Sequence, residues 1–136
     1  MRHGRARIGG GTGVWVAALT LACGFGCAMK SRPRDMPAAP AEVAAARAEV
    51  DDAFRAARDD PRTFAKMVGK PVTKYREALQ QWAIVATGDS IRSAIRGWSI
   101  EVGAIETSIA QLPKNPEEEQ LRPIRDSWSH LRSDLP

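Results

Sequence analysis

The residues best suited to chemistry in this chain are few, and their spacing limits what they can do. His130 stands four residues from both Asp126 and Asp134. On a helix these three share one face and could hold a divalent metal weakly. Three ligands on one exposed face lack the closure of a structural site, so a solvated face of opposite charges is the preferred reading. The other histidine, His3, lies in a basic N-terminal run, which leaves a catalytic mechanism no second imidazole beside His130. Asp51-Asp52, Asp59-Asp60 and Glu117–Glu119 are adjacent acids. Neighbours on a helix point about 100° apart and do not converge on one substrate atom. They read as surface charge and helix-end electrostatics. Ser90, Ser93, Ser99, Ser108, Ser127, Ser129 and Ser133 sit in no nucleophile elbow, and no glycine-rich loop follows a strand pattern. A non-catalytic protein without metal or cofactor is the expectation.

Cysteine chemistry points elsewhere. Met1–Arg7 is basic, and residues 8–29 contain no charge. The most apolar part, Val14–Ala22, leads into Leu19-Thr20-Leu21-Ala22-Cys23. This run resembles the lipobox of bacterial lipoproteins, in which a small residue precedes a cysteine that is lipidated and becomes the new N-terminus. The resemblance covers the leader alone and implies Cys23 as the acceptor, a signal segment over 1–22 and a membrane partner through the lipid anchor. It departs from the family at Thr20, where leucine is usual, and at Leu21, where a small residue is commoner. Gly24 replaces the aspartate that signals inner-membrane retention, which implies the outer membrane if the source is Gram-negative. Two other readings stay open: ordinary cleavage after Ala28, and an uncleaved span of 22 uncharged residues. Cys27 is the one remaining thiol, so no disulfide framework is expected in the domain.

The chain beyond the leader must fold without such staples. Residues 23–40 carry Pro33, Pro37 and Pro40 and read as a lipid-anchor tether, with a bundle domain over 41–136. The expected fold class is all-α, a small antiparallel bundle of four helices. Val43, Ala46, Val50, Ala53 and Ala57 recur at 3-4 spacing in the first helix, which Asp59-Asp60-Pro61 ends. Asp60 and Pro61 are suited to cap the next turn. The second pattern holds Phe64, Met67 and Val68, then Val72, Tyr75, Leu79, Trp82 and Ala86. Gly69-Lys70-Pro71 predicts either a kink or a short helix followed by a long one. In the third, Ile91, Ile95, Trp98, Val102, Ile105, Ile109 and Leu112 repeat without a miss, with Asp89 or Ser90 as cap. The fourth opens at Asn115-Pro116-Glu117 and buries Leu121, Ile124, Trp128, Leu131 and Leu135, with Pro123 inside the pattern.

Charge excludes one class of partner. The formal +4 rests largely on Arg2, Arg5 and Arg7, so the processed chain is close to neutral and nucleic acid loses its support. Acidic flanks around a basic centre at residues 62–100 predict neighbouring helices of complementary charge. Trp82, Trp98 and Trp128 occupy core positions in three helices. They read as core anchors, with an aromatic-lined pocket for an apolar ligand as the alternative. The outer side of the third helix needs a separate account. It carries Ser93, Gly97, Ile100, Gly103, Ala104, Thr107 and Ala110, where a solvated helix normally carries Lys and Glu. Either another helix covers this side or it meets a protein partner or a second copy. Ile84 lies opposite its own stripe, which would extend the apolar patch over two helices.

Overall fold

The computed structural model describes residues 33–135, and these form four α-helices in the all-α architecture that the periodicity predicts. The helices are α1 (Ala41–Ala56), α2 (Phe64–Val85), α3 (Asp89–Ala110) and α4 (Glu118–Arg132). Contacts between side chains set their directions. Lys74 pairs with Glu49 at 2.9 Å and Phe54 meets Phe64, so α1 and α2 are antiparallel. Arg76 pairs with Glu106 at 2.8 Å while Trp82 stacks on Trp98, which makes α2 and α3 a hairpin. Phe54 stacks on Trp128 and Arg47 reaches the Leu135 carbonyl, so α4 returns along α1 and closes the ring of four. The complementary charge read from the sequence resolves into these cross-helix pairs.

The apolar stripes meet in one core. Val43, Val50, Phe64, Val68, Val72, Tyr75, Leu79, Ile95, Val102 and Leu121 are buried, and Trp82, Trp98 and Trp128 join them. Every stripe residue of α4 is buried, through Leu135 beyond its end. Met67 departs from expectation and is exposed. On one continuous helix the face set by Phe64, Val68, Val72 and Tyr75 turns Met67 to its edge. That continuity answers the Gly69-Lys70-Pro71 question, because α2 runs through Pro71 unbroken. Pro71 cannot donate to the Met67 carbonyl, so the helix passes this point one hydrogen bond short.

Two ends differ from the sequence reading. The residue before α3 is Gly88 rather than Asp89 or Ser90; its carbonyl accepts the Arg92 N–H at 3.0 Å. The tight turn from Val85 to Asp89 needs a φ of 98° there, which glycine alone adopts cheaply. At α4 the cap is Glu117, two residues past Asn115. Glu117 and Gln120 form a capping box in which the Glu117 N–H donates to Gln120 Oε1 at 2.9 Å. The reciprocal bonds outcompete a start at Asn115, and Pro123 then falls in the second turn. Asp60 caps the turn before α2, as the sequence suggests, accepting the Arg62 N–H at 3.1 Å, and Thr63 precedes α2.

The boundary at residue 40 also moves. Met36 and Ala39 pack against the core, so residues 33–40 belong with the bundle and are not free tether. Apolar contact holds a segment whose prolines had suggested a spacer.

Candidate functional site

Most polar groups between the helices are committed to holding the bundle. Asp51, expected at the surface with Asp52, lies between α1 and α4. Its Oδ1 accepts the Trp128 Nε1–H at 2.9 Å and pairs with Arg132 Nε at 3.4 Å. Two arginines cap the same pair of helices reciprocally. Arg47 of α1 donates to the carbonyls of Arg132 and Leu135 at 2.8 and 3.2 Å. Arg125 of α4 donates to those of Ala57 and Arg58 at 3.3 and 3.0 Å, and lies over the Phe64 ring. Each cation thus meets the negative end of the partner helix. Across the α2–α3 seam, Glu106 accepts from Arg76 and from the Thr73 hydroxyl. Gly103 faces this seam rather than the outer side, since a Cβ there would meet Arg76 Cδ at 3.4 Å.

The candidate chemistry stays dispersed. Asp126, His130 and Asp134 are all exposed, and among the described residues no three His, Cys, Asp or Glu side chains could hold a metal together. Glu101 faces His130 and Asp134 across the α3–α4 seam. Burial first, and Asp134 second, hold its carboxyl above the usual range, with His130 opposing them. Tyr75 is fully buried, and its hydroxyl has no hydrogen-bond partner among the described residues. Burial pushes the phenol above its ordinary pKa of about 10, Arg47 opposes that shift and Asp51 adds to it.

A pH dependence follows from Tyr75. The raised folded pKa means that the unfolded chain loses this proton first, so its contribution to stability is constant below about pH 10 and falls as pH rises beyond it. Tyr75 is the one tyrosine of the chain, so tyrosinate absorbance reads it alone. Tyrosinate is expected to appear only together with alkaline loss of helix. Ionisation near pH 10 in a chain that keeps its helical circular dichroism would contradict the burial of this ring.

The tryptophans are anchors of the core. Trp82 and Trp98 stack at 6.4 Å, and Trp128 is stacked on Phe54 at 5.6 Å with Tyr75 edge-on at 6.0 Å. All three are buried, each against at least one other ring. The outer arc of α3 is different. Ile100 is 61% exposed, Ala104 and Thr107 are exposed, and Gly97 is half-buried at the edge of the arc. No helix of the described chain covers Ile100. Of the two explanations for this uncharged side, packing by another of the described helices is therefore removed. Ile84 is 70% exposed, and Val85 next to it at the end of α2 is 73% exposed.

Cys23 and the rest of the leader lie outside the described residues. Within those residues no helix is long and apolar enough to cross a membrane. Compared with protein-family models, with curated proteins and with solved structures, the chain matches none.

Proposed function

We propose that this is an exported, lipid-anchored, non-catalytic envelope protein whose helical bundle binds a protein partner or a second copy through the outer arc of α3. The observation that carries the binding role is Ile100, held in solvent between Gly97, Ala104 and Thr107 on a helix whose inner side is fully used by the core. Small side chains permit close backbone approach, and Ile100 supplies apolar area to bury. The lipid anchor rests on Cys23 and the residues before it.

Each half has its own test. Cys23→Ala should abolish palmitate incorporation and release the protein from membranes, while Cys27→Ala leaves both intact; equal labelling of Cys23→Ala would exclude the lipobox. For the surface, a photo-crosslinking residue at position 104 should give a discrete adduct in the native envelope. Ile100→Lys should remove that adduct and leave the melt within about 0.5 kcal/mol of the parent, as for an exposed site. An absent adduct, or one indifferent to Ile100→Lys, would leave the arc as ordinary surface.

A further inference from the structure

We infer that the partner of the α3 arc is a second copy of this chain, docked α3 against α3 in parallel so that Arg96 of each copy meets Glu101 of the other. The inference rests on the proposed binding role of the arc and names its occupant.

The charges of α3 carry the argument. The helix has five charged residues: Asp89, Arg92, Arg96, Glu101 and Glu106. Three of them find partners within the chain, Asp89 with Arg92 at 3.6 Å and Glu106 with Arg76 at 2.8 Å. Arg96 and Glu101, one of each sign, form no ion pair among the described residues. Arg96 is exposed and Glu101 half-buried. They cannot satisfy each other, because five residues on a helix put them about 140° apart, on opposite flanks of the arc. Near Glu101, α4 brings His130 and Asp134, and burial with Asp134 holds the Glu101 carboxyl above its usual range against the pull of His130. A guanidinium from outside the chain would supply the countercharge that Glu101 lacks.

A parallel second copy brings that guanidinium to the right place. Written as a heptad, the arc has Gly97 and Ala104 at a, Ile100 and Thr107 at d, Arg96 at g and Glu101 at e. Side chains at g and at the following e of the facing helix meet across a parallel two-stranded coiled coil. A parallel pair in register therefore forms two Arg96–Glu101 contacts and sets Ile100 against its own copy, while glycine and alanine at a let the backbones approach. Antiparallel packing sets each flank against itself, and the Glu101 flank of α3 carries Ala94 and Ser108 but no cation. The charge pairs fix orientation and partner choice more than affinity. The seam is one short helix pair with small side chains, which places it among transient interfaces.

The test uses the full chain with Cys27→Ala and one added cysteine, oxidised with copper phenanthroline. Ser93→Cys and Ala104→Cys sit at the two ends of the arc, and Ala48→Cys sits on exposed α1 surface. The Cys27→Ala chain with no added cysteine gives the background from Cys23. The expected result is a disulfide-linked dimer at both 93 and 104, severalfold above position 48 and background, since no antiparallel pair aligns both positions with themselves. With Ala104→Cys present, Arg96→Glu and Glu101→Arg should each lower the dimer severalfold. Mixing these two variants, one of them tagged, should restore a mixed dimer, because each then offers the charge that the other needs. Arg96→Glu changes an exposed side chain and carries the test alone if Glu101→Arg disturbs the melt. A dimer that charge reversal does not weaken, or that mixing does not restore, overturns the parallel pairing. Linkage at background level, with an Ile100-dependent photo-adduct at position 104 to a different protein, overturns the second copy and leaves the arc as a binding surface. The absence of both a dimer and an Ile100-dependent adduct removes that surface and this inference together.

Discussion

Replacing Trp98 with alanine is expected to lower the unfolding free energy by about 3–5 kcal/mol, the cost of truncating a large core residue. Trp98 is buried halfway along α3, and its ring lies 6.4 Å from that of Trp82 at an interplanar angle of 25°. Such a ring pair contributes about 0.5–1.5 kcal/mol beyond the area it buries. Truncation therefore opens a cavity and also strips Trp82 of its partner. The α2–α3 hairpin cannot close over that space, because Thr73, Arg76 and Glu106 fix the spacing of the two helices further along. A domain of this size has about 5–15 kcal/mol of stability, so the loss should dominate a denaturant melt. Trp98→Phe should recover a large part of it. A Trp98→Ala chain melting within a couple of degrees of the parent would mean that this ring does not sit in the core.

The success of the α3 stripe and the misjudgement of Asp51 have the same physical origin. Apolar burial follows helical period, and period is written in the sequence. Ile95, Trp98, Val102, Ile105 and Ile109 are buried because the spacing that aligns them is also the spacing that core packing needs. Helix ends follow a competition between local bonds, which composition reports less well. Glu117 with Gln120 displaced Asn115 as the cap of α4, and the φ demanded of Gly88 decided the start of α3. Contacts distant in sequence leave no local trace at all. Nothing near Arg47 or Arg125 announces that each caps the other's helix, because the partners lie 67 to 88 residues away. The outer arc of α3 was legible for the opposite reason: missing charge on a helix back needs no partner to be noticed. Its exposure is set by the packing of the folded bundle.

Asp51 and Asp52 provide the sharpest contrast, since two adjacent and chemically identical residues should behave differently. Asp52 is exposed and pairs with Arg55 one turn along the same helix at 3.0 Å. Exposed pairs of this kind contribute little, so Asp52→Ala should shift stability by about 0.5 kcal/mol or less. Asp51 accepts the Trp128 indole N–H and also pairs with Arg132, joining α1 to α4. Asp51→Ala leaves the N–H of a buried ring without an acceptor and should cost about 2–3 kcal/mol. A double-mutant cycle isolates that bond. Trp128→Phe removes the donor and keeps an aromatic ring against Phe54 and Tyr75, so Asp51→Ala should cost about 1–2 kcal/mol less in that background. The cycle is read from urea melts of the four chains. Additive losses would show that the indole bond contributes nothing, and equal effects at positions 51 and 52 would return both acids to the solvated surface. Coupling confined to Asp51 would instead show how α4, joined to α3 by a loop and to α1 by side chains alone, is held in the register that closes the bundle.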